Sequence, residues 1–473
     1  MNASARRIAK IAALPALLAA SMPGEALAHA SERGHVLLLP TGYYSIGGAF
    51  AVAASFLVLA LVSPRLLTGI WSKELVLFPL RDEAKIVTSL LSFLFFAILV
   101  AAGFWGSRDP LSNPLPLTIW TLLWVAMALV QGLLGDVWAW LNPWYGPCRL
   151  VALFRQNDAP LALPRCLGQW PAVALLFAFT WFELVYPAPD DPERLARAAG
   201  FYWLGTFIAM VVFGHEEWSR RGEFLTVFFR LLSHFALFGR DGQGCLTLRW
   251  PGARLLEIAP LSKSGVAFVL LALSSVSFDG LTHTFFWMGI LGLNPLDFPG
   301  RTAVILPNTI GLLASFAVLG SLFMLTVRLG DEIARLTGHT GRGDTAGLLV
   351  WSIVPIALAY HLAHYLASLM VDSQYAVVAL SDPFGLGWNL FGTAHLHVEA
   401  AITSGATSAW VLWNIQAGAI VAGHVLAVLV AHCQACRLYG DARRASFSQL
   451  PLTMLMIGYT VFGLWLLATP SAH

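Results

Sequence analysis

Charge is scarce in this sequence. Only 11% of its 473 residues are Asp, Glu, Lys or Arg, against about a quarter in soluble domains. With 58% hydrophobic residues and a mean hydropathy of +0.70, that shortage excludes a soluble globular protein. The formal net charge is +2, so nothing points to a nucleic-acid partner. No long linker, charge run or low-complexity segment divides the chain, and no internal repeat stands out. Residues 29–473 are therefore read as a single integral-membrane domain. The HExxH zinc signature is also missing: after His215-Glu216-Glu217-Trp218 comes Ser219, where the second histidine would have to stand.

What the chain has instead is apolar runs of membrane-spanning length. A span needs about 20 apolar residues at 1.5 Å rise each. Ten apolar segments are candidates: 46–62, 86–104, 117–134, 170–186, 198–213, 265–276 (short, but able to extend back towards Leu261), 304–327, 348–370, 410–431 and 452–468. The expected fold is all-α, a polytopic helix bundle of about ten spans in a lipid bilayer. The 18 Trp and 30 Phe suit the aromatic belts of such a protein. Residues 223–238, with Arg230 and His234, suggest a helix lying in the interface. Residues 245–250, CLTLRW, suggest a short strand.

Residues 1–28 read as a cleavable signal peptide. Arg6, Arg7 and Lys10 precede a short apolar stretch, and Ala26-Leu27-Ala28 supplies the cleavage site. Cleavage would leave His29 at the mature N-terminus, outside the cytoplasm. A free amine beside an imidazole can chelate a metal; equally, position 29 is simply where cleavage falls.

Ten crossings from an outside start place 63–85, 135–169, 214–264, 328–347 and 432–451 inside. These carry 20 of the 28 Lys and Arg, the outer segments carry five and the signal peptide three. That fourfold excess is the positive-inside signature. All five cysteines, Cys148, Cys166, Cys245, Cys433 and Cys436, fall on the inner side, so no outer disulfide framework is expected. Cys433 and Cys436 form a CxxC that is either a structural pair or a metal or redox site. His424 lies within a span, as a core histidine or a proton relay.

The stretch 348–370 carries His361 and His364, with Tyr360 and Tyr365 beside them. Their i, i+3 spacing puts both imidazoles on one helix face. Such a face must look into protein or a water-filled cavity. The residues serve either as hydrogen-bonding groups between helices or as a metal or proton site. Candidate partners on the outer side are Asp279, His283, Asp382, His395 and His397. His364 is six residues before Met370, about 9 Å below that expected helix end. Imidazoles and carboxylates together suit a divalent transition metal. Taken singly, Asp279 before Gly280 and Asp382 before Pro383 also fit turn chemistry.

Several short motifs occur in an order that resembles the bacterial fenitrothion hydrolase family of polytopic membrane proteins. They are Ala28-His29-Ala30, Leu134-Gly135-Asp136-Val137, Asn142-Pro143-Trp144 and Trp181-Phe182-Glu183-Leu184, then Ser277-Phe278-Asp279-Gly280 and Ile356-Ala357-Leu358-Ala359-Tyr360. Ala363-His364-Tyr365, Ser381-Asp382-Pro383, Leu390-Phe391-Gly392-Thr393 and Gly423-His424-Val425 complete the set. They run over nearly the whole mature chain. The family pattern need not have histidine at 361, 283 or 395, which favours His364, Asp279 and Asp382.

The resemblance implies hydrolysis of a small apolar organophosphorus triester with release of a nitrophenol. It also implies a bacterial inner membrane and a second, similar membrane subunit as partner. A metal could supply hydroxide and polarise the phosphoryl group. The rival expectations are a transporter or channel for metal ions or protons, and a non-catalytic membrane subunit of a larger complex. The basic bias makes the topology testable. Single cysteines placed at 190 and 390 should react with an impermeant reagent in sealed cells, and those at 155 and 340 only after permeabilisation. Labelling of the 214–264 segment from outside would overturn the arrangement.

Overall fold

In the computed structural model, residues 41–62, 69, 71, 73–80, 82–154, 161–294, 300–338, 343–403 and 405–469 are described. The signal-peptide segment 1–28 and His29 lie outside these. The chain is an all-α polytopic bundle with one small sheet. Among the described residues nine helices are long and apolar enough to cross a membrane. They are α1 (Thr41–Leu61), α2 (Ala84–Trp105), α3 (Pro114–Leu133), α5 (Pro192–Phe213), α7 (Lys263–Thr282), α8 (Arg301–Leu336), α9 (Thr345–Ser381), α10 (Thr407–Tyr439) and α11 (Leu450–Ala468). The tenth expected span is a shorter helix, α4 (Trp170–Leu184) of 15 residues. At 1.5 Å per residue it is about 22 Å long.

Burial sorts these helices into a centre and a periphery. In α7, α9 and α10, 72%, 78% and 67% of the apolar stretch is buried; in α1, α2 and α5 only 22% is. The centre forms because small residues let backbones meet. Gly423 of α10 faces α9 so closely that a Cβ there would sit 2.4 Å from the Ala359 side chain and 2.9 Å from the Pro355 carbonyl. Polar side chains at the helix starts satisfy free backbone amides. Asn113 accepts from Leu115 N at the start of α3, Asp191 from Arg194 N at α5, and Ser262 from Gly265 N at α7.

The segment at 223–238 forms α6 (Phe224–Ser233), in which eight of ten residues are buried. The two that are not, Thr226 and Arg230, stand one turn apart on the same face. Glu223 caps it, accepting from Leu225 N at 2.8 Å and Thr226 N at 2.6 Å. Arg230 escapes by donating to the Arg220 carbonyl at 3.0 Å.

A three-stranded antiparallel sheet joins two distant loops. It pairs β1 (Glu74–Pro79) with β3 (Cys245–Arg249), and β3 with β2 (Phe238–Arg240). The strand expected at 245–250 is therefore present, and β1 is an additional one. The described residues of the five basic segments hydrogen-bond to one another. Leu80 N reaches the Gly244 carbonyl at 3.2 Å, Arg221 Nε the Gly168 carbonyl at 3.1 Å and Leu261 N the Gly347 carbonyl at 2.9 Å. Tyr439 reaches Asp331 at 2.8 Å. They form one end of the bundle. At the other end Arg108 pairs with Glu193, and Tyr44 donates to Asn414 at 3.1 Å.

At the basic end His215 packs edge-on against Tyr145, with ring centroids 5.3 Å apart. Burial pushes its pKa down to about 4, with the Arg149 charge adding and Glu216 opposing. The folded protein refuses a proton that the unfolded chain accepts from about pH 6.5 downward. Stability held above that pH is therefore lost as pH falls from about 6.5 towards 4. Wild type should lose more thermal stability between pH 7.5 and pH 5.5 than His215→Phe, which keeps the ring contact. Equal losses would remove His215 as the cause.

Candidate functional site

Two central helices bring the site together. α7 ends in Ser277-Phe278-Asp279-Gly280-Leu281-Thr282, and Asp279 is 7% exposed. α9 presents His364 from its middle. His364 Nε2 lies 2.8 Å from Asp279 Oδ2. Their side chains are 20% and 10% exposed, so the imidazole is the reachable partner. A buried carboxylate needs such a partner, because desolvating an unpaired charge is very costly.

Tyr365, the next residue of α9, donates to the same Asp279 oxygen at 2.9 Å. Its hydroxyl also lies 3.3 Å from Glu183 Oε1. One phenolic hydrogen thus stands between two carboxylates from α4 and α7. Arg301 anchors the end of α4, donating to the Glu183 carbonyl at 2.8 Å and to the Tyr186 carbonyl at 3.4 Å. Gly280 faces the site. A Cβ there would make ordinary contacts with Leu466 Cδ1 at 3.4 Å, Tyr360 Oη at 3.5 Å and His364 Cε1 at 3.8 Å.

The remaining expected residues fall into two groups. His283, one turn past Asp279, sits with Nδ1 3.7 Å from Asp279 Oδ1 and 2.9 Å from the Asp279 carbonyl. It joins the rim of the site. His361 is buried and turned to α3, where Nε2 meets the Trp124 carbonyl at 3.0 Å. It touches the site only through its ring, edge-on to Tyr365 at 4.9 Å. Asp382 spends both oxygens on a turn, accepting from Leu386 N at 2.9 Å and Gly387 N at 2.8 Å.

His395 and His397 lie exposed on the loop after α9. That helix runs on to Ser381, so the depth of His364 cannot be measured from an end at 370. The loop does fold back along α9, but high up. Thr393 bonds the Val377 carbonyl at 2.9 Å, and Glu399 N bonds Gln374 at 2.9 Å. Gln374 is ten residues beyond His364, about 15 Å along the axis.

These placements bear on a metal. Among the described residues no three His, Cys, Asp or Glu side chains converge to hold an ion. Asp279 and His364, with His283 at the rim, are the donors gathered here, and the facing atoms of the first two bond each other. No step below is routed through a metal. Glu183 and Tyr365 were not nominated from the sequence. The available signal was a carboxylate within an apolar run that contains no basic residue, which in a membrane marks function. Compared with family models, curated proteins and solved structures, the chain matches none.

Around Gly280 the packing is close but not overfull. Gly280→Ala should leave the unfolding temperature nearly unchanged. Gly280→Leu should press on His364 and Tyr360 and cost about 1–3 kcal/mol, the usual penalty for overpacking. Thermal unfolding in detergent measures both. Equal tolerance of Leu and Ala would mean that α7 and α9 are not held at this distance.

Proposed function

We propose that the protein is a membrane-embedded hydrolase of neutral organophosphorus triesters, with His364 as general base and Asp279 orienting it. The observation that carries this reading is the 2.8 Å imidazole–carboxylate pair inside an apolar bundle. The order of motifs that resembles the fenitrothion hydrolase family supports the substrate class, and Asp279, His364 and Glu183 all stand within those motifs. In this reading the chain sits in a bacterial inner membrane, with its mature N-terminus and the site towards the outside. The 20-to-5 distribution of Lys and Arg supports that orientation.

The chemistry follows from the pairing. With Nε2–H donated to Asp279, His364 keeps a lone pair on Nδ1 (the tautomer is assigned from this contact). A water held there gives up a proton as its oxygen attacks phosphorus. The bond from phosphorus to the aryl oxygen breaks, and the nitrophenolate departs with the electron pair. Asp279 stabilises the imidazolium that forms, as an acid does in a catalytic triad, without taking its proton. The proton taken up at Nδ1 then passes to water, which restores the base. A nitrophenolate is a good leaving group, so no general acid is needed.

One observation favours a second reading. Tyr365 standing between Asp279 and Glu183 is also what a proton relay in a transporter would use. Glu183→Gln separates the two. It should abolish solute-coupled proton uptake in a transporter and only slow a hydrolase.

The direct test is nitrophenolate release by purified protein in lipid nanodiscs. His364→Ala should lower kcat by about 100-fold or more, the range for losing a general base. Asp279→Asn should lower it too, by presenting the imidazole in the wrong tautomer. Cys433→Ser, at the basic end, should leave it intact. Full turnover in well-folded His364→Ala would sink the assignment. Loss of wild-type activity on chelation, restored by metal, would return a metal to the mechanism.

A further inference from the structure

On the other face of α7 a groove of about 870 Å³ opens between α7, α8, α11 and the short helix Phe285–Ile290. That is within the size range of sites for drug-sized ligands. Its lining contains no Asp, Glu, Lys, Arg or His. The polar atoms that it does contain are already spent. Ser274 donates to the Leu271 carbonyl at 3.0 Å, and Ser315 to the Ser274 carbonyl at 3.3 Å. Ser277 donates to the Leu273 carbonyl at 2.9 Å. Tyr459 must therefore be the donor in its contact with Ser277. The Trp287 indole donates to Asn308 at 2.9 Å. No hydrogen-bond donor is left for a ligand, so anions, zwitterionic headgroups and sugars are disfavoured on desolvation grounds.

What the groove does offer is aromatic surface. Trp287, Tyr459 and Phe462 line its wall from two different elements, and the buried Phe278 packs edge-on behind Trp287. Its rim carries exposed apolar side chains on membrane-spanning helices, Leu306 on α8 (68%) and Met454 on α11 (71%). A groove with such a rim opens sideways, and its ligand arrives from the lipid phase. We infer that this groove binds a neutral, aromatic, membrane-partitioned molecule. Three accessible aromatic walls favour a ring over a saturated acyl chain, because ring pairs attract one another beyond the burial of area.

The groove also lies one helix away from the candidate site. Phe278 and Leu281 line it, while Asp279 and Gly280 between them turn to His364. The groove as a holding place for aryl triesters rests on the hydrolase reading; the groove as an aromatic binding site does not.

Gly458 gives a clean probe. It lines the groove, and a Cβ there would meet nothing within 4 Å. Gly458→Leu therefore fills the space without displacing α11, and Gly458→Ala is a milder version. Gly418 on α10 is equally free of neighbours and lies outside the lining, so Gly418→Leu is the control.

The experiment is photolabelling of the full chain in nanodiscs with benzophenone, mapped by mass spectrometry. Adducts should concentrate in 306–322 and 454–462, and triphenyl phosphate should compete. Gly458→Leu should lower groove labelling about tenfold, equivalent to about 1.4 kcal/mol of affinity. Gly458→Ala should lower it less, and Gly418→Leu not at all. Labelling spread evenly over all lipid-facing helices would overturn the proposal. So would a groove that stays unlabelled because an acyl chain or a neighbouring helix fills it. Selective, competed labelling in a protein whose His364→Ala form hydrolyses normally would leave the groove standing and remove the hydrolase reading alone.

Discussion

An ionisable group inside an apolar bundle must find a partner, and the centre of this molecule is arranged around that requirement. Asp279 is buried near the end of α7 and can exist there because α9 brings it an imidazole and a phenol. Those two hydrogen bonds tie the two central helices together at one level. Gly423 sets how closely α10 can come to α9 behind them. The same pairing that makes the carboxylate tolerable leaves the imidazole oriented and partly open. Structural necessity and chemical readiness arise here from one contact.

The sequence made the membrane architecture legible because its signal is coarse and repeated. Each apolar run had only to be long enough, and all ten became helices. The alternation of basic and non-basic connections was equally readable, since 20 of the 28 Lys and Arg stand in connections expected on one side. The extent to which α6 is buried was harder to read. Arg230 and His234 mark a polar edge, and eight of the ten helical residues nevertheless pack inside the protein. Strand β1 was missed because its partner lies more than 160 residues away.

The site was legible in part, for a related reason. His364 and Asp279 stood out as ionisable residues in apolar surroundings, and they do meet. His361 looked equivalent by helical spacing, but three residues along a helix turn a side chain by about 60°. That rotation takes it from α7 to the carbonyl of Trp124 on α3. His395 and His397 were drawn in by their chemistry. The extra turns of α9 carry the loop that bears them away from the site. Glu183 was hidden by being a single acid among aromatics, where only the third dimension shows that it shares a hydroxyl with Asp279.

The shortness of α4 has a consequence for the surroundings of the site. At about 22 Å it falls short of the roughly 30 Å hydrocarbon thickness of an ordinary bilayer. A short span is accommodated when the bilayer thins beside it. In such a bilayer the end of α4 that carries Glu183 would draw headgroups and water towards the carboxylate pair, while the aromatic groove on the far side of α7 would stay in hydrocarbon. One helix, α7, thus separates a wet flank from a dry one, and a reaction between water and an oil-soluble molecule would have its two reactants arriving from opposite sides.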